Sequence, residues 1–306
     1  MLIENTLLGK IDKVQIAIDL LQRYERVALS YNPEGYYVGY SGGKDSETIA
    51  YLCILAGVKF ALHHNHTGLD TPELVRHVRY MQKWYKENYN VNLYIHYPEE
   101  TMWELIERKM MPPTRRTRYC CDKLKEHGGE GRFCVMGVRW DESSRRAKNR
   151  SLIELNAYSG KKNKIRLNND NDKARRQVET CIMKGKHILN IIVNWLDEDV
   201  WEFIHENNLP HCELYNCGWE RLGCIGCPLS AKNQERELEA YTAYKENYLR
   251  AFRRMTKERK RKGKTFWINE EDADEIMEWW IHGTVKNKQL EGQIGMELDS
   301  LEDEDE

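Results

Sequence analysis

Gly39-Tyr40-Ser41-Gly42-Gly43-Lys44-Asp45-Ser46 lies between a β-rich run at 36–38 and a helix-forming run at 47–56. Glycine tolerates positive φ, so a strand ending in Ser-Gly-Gly can turn sharply and aim successive N–H groups and a helix N-terminus at one point. Such a point suits an anion, and the stretch reads as a phosphate cradle. It is not a Walker A loop. Three residues separate Gly39 from Gly43 where that loop needs four, and Asp45 stands where its Ser or Thr would meet magnesium.

Outward from the cradle, the segments at 58–65 and 91–97 read as strands and 71–89 as a helix, giving a βαβαβ alternation. Asp70-Thr71-Pro72-Glu73 carries a cap and a proline at the first helical turn. Further strands are expected at 132–138 and 187–192, and a helix at 197–207. Ile11, Val14, Ile18 and Leu21, with Tyr24, Val27 and Ala28, predict an amphipathic opening helix. The polar stretch from Arg145 to Thr180 reads as a surface excursion. From Ala231 onward the chain reads as helical, interrupted near Gly263, with Trp279 and Trp280 docking its end onto the main domain. The expected architecture is α/β: a doubly wound parallel sheet with ligands at the carboxyl ends of the strands, and a helical C-terminal extension. The expected division is 1–230 for the nucleotide-binding domain with its cysteines and 231–306 for the extension.

Composition bounds the class. With 306 residues, 41% hydrophobic, 9 Trp and 17 Tyr, the chain can bury a sizeable core. Neither a run of eighteen apolar residues nor a secretory leader is present, so no membrane partner is expected and the cytoplasm is the expected compartment. Net charge is −2, yet 253–264 holds eight Lys/Arg against one Glu and 297–306 holds seven Asp/Glu. These blocks read as a solvated face and a disordered acidic tail, with nucleic-acid binding by the basic block as the competing reading.

The nine cysteines are expected to be reduced, which directs attention to metal ligation or redox chemistry. Cys53 and Cys134 sit in apolar runs and read as packing residues, and Cys181 and Cys212 carry no signal. Cys120-Cys121 and Cys224-Ile225-Gly226-Cys227 remain. The C-x-x-C spacing suits zinc or iron–sulfur ligation. Adjacent cysteines project in different directions, awkward for one tetrahedral zinc and suited to separate irons of a cluster. Structural zinc, a Cys224/Cys227 redox pair and replacement of Cys121 by Cys217 are the alternatives.

From Tyr36 to Ser230 the chain resembles the phosphoadenosine phosphosulfate reductase family of the PP-loop ATP pyrophosphatase (adenine nucleotide α-hydrolase-like) superfamily. The resemblance rests on the Ser41–Ser46 loop, Thr67-Gly68 with Thr71-Pro72-Glu73, Arg118-Tyr119-Cys120-Cys121 followed by Leu124-Lys125, and Gly137-Val138-Arg139 with Asp141-Glu142-Ser143 and Arg146. It continues through Trp195 to Trp201, Leu214-Tyr215, Gly218 and Gly223-Cys224. It implies a Rossmann-like PP-loop fold and binding of ATP or an adenylyl sulfate-type nucleotide by Ser41, Gly42, Gly43, Lys44, Asp45, Ser46, Arg118 and Arg139. Lys44 and Asp45 are the implied catalytic pair, with magnesium on Asp45, and Cys120, Cys121, Cys224 and Cys227 are the implied ligands of a 4Fe-4S cluster, or of zinc. The implied activity is ATP-dependent adenylylation and sulfur transfer, with a nucleic-acid acceptor or a sulfur-donor protein as partner. One departure stands out: the sulfonucleotide reductases carry a nucleophilic cysteine in a Glu-Cys-Gly-x-His tail, and no cysteine follows Cys227. A (phospho)adenylyl-sulfate reductase using Cys217 or an external thiol is the alternative.

Overall fold

The computed structural model describes residues 2–6, 9–125, 128–142, 146–147, 150–154 and 186–283. Two compact units share the chain in alternation. The first gathers Met1–Asn65, Pro72–Tyr97 and His127–Leu222, and the second His66–Thr71, Pro98–Glu126 and Gly223–Glu306.

The first unit opens with a hairpin of β1 (Ile3–Thr6) and β2 (Gly9–Asp12), whose end takes in Ile11, expected at the start of the opening helix. Asp12 ends it by accepting from the N–H groups of Val14 and Gln15 at 2.9 and 3.0 Å, so α1 starts at Lys13 and runs to Tyr31. Ile11 therefore belongs to a strand, and Val14, Ile18 and Leu21 form the inward stripe of α1. Next come β3 (Tyr36–Gly39), α2 (Lys44–Leu55), β4 (Phe60–Asn65), α3 (Pro72–Tyr89) and β5 (Leu93–His96). Within the same unit, β6 (Phe133–Val135), β7 (Ile153–Glu154), β8 (His187–Leu189) and α5 (Asp197–Glu206) follow.

These strands form one sheet in the order β5-β4-β3-β6-β8-β7, parallel throughout except for β7, which runs antiparallel to β8 at the edge. The expected mostly parallel α/β sheet with flanking helices is the observed one. Its order reverses beside β3, placing the cradle where open α/β sheets bind ligands. Strand β7 lies inside the expected polar excursion: Glu154 is fully buried and accepts from Arg150 and Asn190 at 2.8 and 2.9 Å. Arg145, the remainder of that stretch from 155 on, Cys181 and the acidic tail at 297–306 fall outside the described residues. Among the described residues no helix is long and apolar enough to cross a membrane.

A buried carboxylate holds the cradle to the core. Glu47, in the first turn of α2 and 1% exposed, accepts from the Tyr40 hydroxyl, from the Tyr85 hydroxyl at 2.8 Å and pairs with His77 Nε2 at 2.9 Å. Tyr40 follows β3 while His77 and Tyr85 belong to α3, so one side chain ties the loop's entry, the helix it opens and its neighbouring helix.

The second unit contains α4 (Met102–Lys109), which the sequence reading did not anticipate, with α6 (Gln234–Ala240), α7 (Thr242–Arg261) and α8 (Asp272–His282). Leu105, Ile106, Tyr248, Phe252, Met255, Ile276 and Trp280 share its core. Gly263 adopts φ +70° just after α7, where the helical pattern was expected to break. Trp280 packs 4.7 Å from Tyr248, donates to the Pro113 carbonyl at 2.6 Å, and Trp279 lies 4.9 Å from Trp267, all within this unit. One member of the basic block is not solvated: Arg259 is 3% exposed, donates to the carbonyls of Phe266 and Met110 and stacks 4.3 Å from the Phe266 ring.

Glu47→Ala leaves two phenols and an imidazole without their acceptor. The expected loss is about 2–4 kcal/mol in the urea midpoint analysis, and Glu47→Gln, which keeps an acceptor, loses less than half of it.

Candidate functional site

The loop after β3 takes its shape from Gly42, whose φ is +77°. A Cβ there would sit 2.7 Å from Val78 and 2.9 Å from Leu74 on α3, so both the backbone conformation and the available space exclude a side chain. Gly43 is the N-cap of α2 and supplies no side-chain cap. Lys44, Asp45 and Ser46 therefore form the first helical turn, earlier than the expected start at 47. The Ser46 hydroxyl donates to the Gly43 carbonyl at 2.7 Å, and the Gly43 N–H donates to Ser41 Oγ at 3.3 Å, which closes the turn on itself. The Lys44 N–H donates to the Tyr215 hydroxyl oxygen at 3.0 Å. Burial pushes the Tyr215 phenol up, and it stays protonated at neutral pH.

Around this helix start two cations meet several carboxylates. Lys44 Nζ donates to the Glu220 carbonyl at 3.0 Å and to Asp197 Oδ1 at 3.1 Å, with the Trp201 and Tyr215 rings 5.8 and 5.5 Å away. Arg139 donates to Asp45 at 2.6 Å, to the same Asp197 oxygen at 2.7 Å and to Asp141 at 3.4 Å. Only 4% of the Arg139 side chain is exposed. Burial works against its charge while Asp45 and Asp197 favour it, and the balance lies above the ordinary arginine value. Gly137 makes the approach possible, since a Cβ there would stand 3.0 Å from the Asp45 carbonyl oxygen. Internal carboxylates thus occupy both cations, with Asp197 shared between Lys44 and Arg139.

The structure brings together Ser41, Gly42, Gly43, Lys44, Asp45, Ser46 and Arg139, all in the first unit. Arg118 belongs to the second unit, where it donates to Cys121 Sγ at 3.5 Å. Arg146 pairs with Glu142 in the first unit. Asp197, Tyr215 and Glu47 were not singled out from sequence. Tyr215 lies in the quoted Leu-Tyr pair and Asp197 between the quoted tryptophans, but nothing local marks either as a partner of Lys44.

All four cysteines of the two motifs belong to the second unit. Cys120 and Cys121 share a hydrogen bond at the entry to a turn of wide helix spanning Cys121–Lys125, a winding frequent at functional positions. That bond lowers the Cys121 thiol, with help from Arg118, and with burial raises that of Cys120. The other pair hangs on an isolated antiparallel bridge between Asp70 and Cys224, with the Ile225 N–H donating to the Leu69 carbonyl at 2.8 Å. Gly226 takes φ +71°, its N–H donates to Glu237 at 2.8 Å, and the Tyr248 hydroxyl donates to the Ile225 carbonyl at 3.0 Å. The Cys-x-x-Cys turn is thereby held by α6 and α7. Cys224 lies 3.5 Å from the Thr67 hydroxyl and bonds Lys125, which raises the lysine, and Cys120 feels both Cys224 and Cys227. Among the rest, Cys53, Cys134 and Cys212 are buried and Cys217 is exposed.

The family model for the phosphoadenosine phosphosulfate reductase domain matches residues 35–230, well over half of the chain. The chain belongs to the phosphoadenosine phosphosulfate reductase family. That family binds adenine nucleotides. Two uncharacterized proteins of Methanocaldococcus jannaschii are each 26% identical, over 80% and 92% of this chain. The chain spans 51% and 59% of their lengths, between half and three fifths. Phosphoadenylyl-sulfate reductase from Candida auris aligns over 70% of this chain and 94% of its own, with 16% identity and a TM-score of 0.43.

Because Asp197 competes with any anion for Lys44 and Arg139, Asp197→Asn is expected to tighten pyrophosphate binding about 5–10-fold, roughly the worth of one partly screened charge. Lys44→Ala weakens it by at least as much. Titration calorimetry with inorganic pyrophosphate checks both, and a weaker Asp197→Asn would show that the carboxylate orients the cations more than it competes.

Proposed function

We propose that this reductase-family chain binds ATP at the Ser41–Ser46 loop and uses it to adenylylate an oxygen of an acceptor, which sulfur then replaces. The observation that carries the reading is the pairing, within one chain, of a glycine-bent helix start, with Lys44 on it and Arg139 bonded to Asp45, with a separate set of four cysteines. In the first step the acceptor oxygen attacks the α-phosphorus, forming an acceptor–AMP bond while the bond to pyrophosphate breaks. Lys44, Arg139 and the positive end of the α2 dipole gain contact with the leaving pyrophosphate as its charge grows. In the second step a sulfur nucleophile forms the carbon–sulfur or equivalent bond and AMP leaves. Asp45 is the residue that would hold magnesium, and Lys44 with Asp45 forms the catalytic pair.

The four thiols fit a 4Fe-4S cluster. All donors are sulfur, two come from adjacent residues and two from one tight turn, and Lys125 and Arg118 offset the negative charge that cluster and thiolates bring. Such a cluster would bind or deliver the sulfur. Zinc on the same thiols is the competing occupant.

A second reading, reduction of an adenylyl sulfate with a non-standard thiol, has one observation in its favour. Cys217 is exposed and lies in the chain between Tyr215 and Glu220, both of which touch Lys44.

Two assays test the proposal. Anaerobically purified protein is expected to contain close to four irons and four sulfides, with a broad brown absorption that Cys120→Ser and Cys227→Ser each remove; one zinc and no colour would reject the cluster. Pyrophosphate release from ATP is expected to vanish in Lys44→Ala. Sulfite release from adenylyl sulfate with a thiol donor, lost in Cys217→Ser, would select the second reading.

A further inference from the structure

Helix α7 presents a charge pattern that the nucleotide chemistry does not use. At 100° per residue, Arg250, Arg253, Arg254, Lys257, Lys260 and Arg261 fall within an arc of about 120°, and no acidic residue of 250–261 shares it. Glu258 lies on the flank and pairs with Arg261. The opposite arc carries Tyr248, Phe252 and Met255 into the core of the second unit. The helix is therefore firmly seated on one side and cationic on the other.

The charges on the outer arc are only weakly committed. Arg254 meets Glu107 at 3.2 Å and Lys257 meets Glu270 at 3.0 Å, but the four side chains are between 41% and 63% exposed. Exposed pairs of this kind contribute little and yield readily to a stronger partner. Arg250, Arg253 and Lys260 have no acidic group within salt-bridge distance among the described residues. Lys262 and Lys264 follow, both exposed, and extend the cationic row past the helix end.

We propose that the outer arc of α7 is a docking face for a nucleic-acid backbone. The arc is about 16 Å long from 250 to 261. A nucleic-acid strand presents one phosphate per about 3.4 Å of axis, so about five phosphates lie along that length. Arginine predominates over lysine in the arc, as suits bidentate contact with phosphate. A lipid surface is the wrong partner, because no large hydrophobic side chain of α7 is exposed to enter it. The face also has a preferred side. Glu99, Glu100, Glu104, Glu107 and Glu258, with Arg108, line a cleft of about 540 Å³ in the same unit, and this acidic wall repels a polyanion from the Glu258 flank. The strand is directed to the Arg253 and Lys260 side.

This inference stands apart from the ATP chemistry, and its test keeps the two separate. Fluorescence anisotropy would follow the full chain binding labelled single-stranded RNA, single-stranded DNA and duplex DNA of about 20 nucleotides, at about 50 and 200 mM salt. The expected result is salt-sensitive binding that survives Lys44→Ala. In the triple variant Arg250→Glu, Arg253→Glu, Lys260→Glu the affinity falls at least tenfold, and the slope of log K against log salt shrinks by about 2–3. An equal charge change on α1 and α3, Arg23→Glu, Arg26→Glu, Lys83→Glu, leaves binding within twofold. The α7 variant keeps its affinity for ATP and its circular dichroism spectrum. The inference is overturned by absence of binding at the lower salt, by equal losses in the two triple variants, or by binding to phosphatidylserine vesicles without binding to any oligonucleotide.

Discussion

The bend at Gly42 is the constraint on which the first unit turns. Its backbone occupies left-handed space and packs against Leu74 and Val78 so closely that no β-carbon fits. That bend sends the chain directly from β3 into α2 and exposes the helix N-terminus at the end of the strand. The same contact places α3 beside the loop, where His77 and Tyr85 reach Glu47. Backbone geometry, helix packing and a buried carboxylate therefore support one short stretch of chain from three directions.

The charges at the site follow from this frame. Lys44 becomes the first residue of α2, so its side chain starts from the helix end and extends to Asp197 and the Glu220 carbonyl. Arg139 arrives from the loop after β6 because Gly137 lets that loop pass close to Asp45. Two cations so near each other and so buried would repel without anions between them. Asp45 and Asp197 serve that purpose. The two cations are held in place by these internal pairs.

The second unit solves a different problem. Two Cys-bearing turns have to be held firmly although neither lies in a regular strand or long helix. The Asp70–Cys224 bridge, the Glu237 contact to Gly226 and the Tyr248 contact to Ile225 provide that hold. One of the helices that provide it, α7, also carries the basic residues. Packing of the inner face of α7 is what makes its outer charges a fixed row and not a flexible tail, and Arg259 shows how the same run can contribute to the core.

Much of this was legible from residues 36–46, because Gly-Gly after a β-rich run, with Lys-Asp-Ser following, restricts the backbone locally and so can be read locally. The helix over 71–89 and the strands at 58–65 and 91–97 were legible for the same reason: period and turn chemistry are short-range. The β1–β2 hairpin and the edge strand β7 were not, since Ile11 fits a helical stripe until Asp12 caps α1, and Ile153-Glu154 becomes a strand only by pairing with β8. The partners of Lys44 were equally hidden. Asp197 and Tyr215 are more than 150 residues away in sequence, and charge or hydroxyl alone does not say where a side chain ends up. The amino-acid order by itself determined the cradle, the alternation of elements and the identity of the sulfur-bearing residues. Tertiary structure alone decided which carboxylates hold the cations, which basic residues are buried, and that Arg118 accompanies Cys121, because each of these depends on distances between segments that no local pattern encodes.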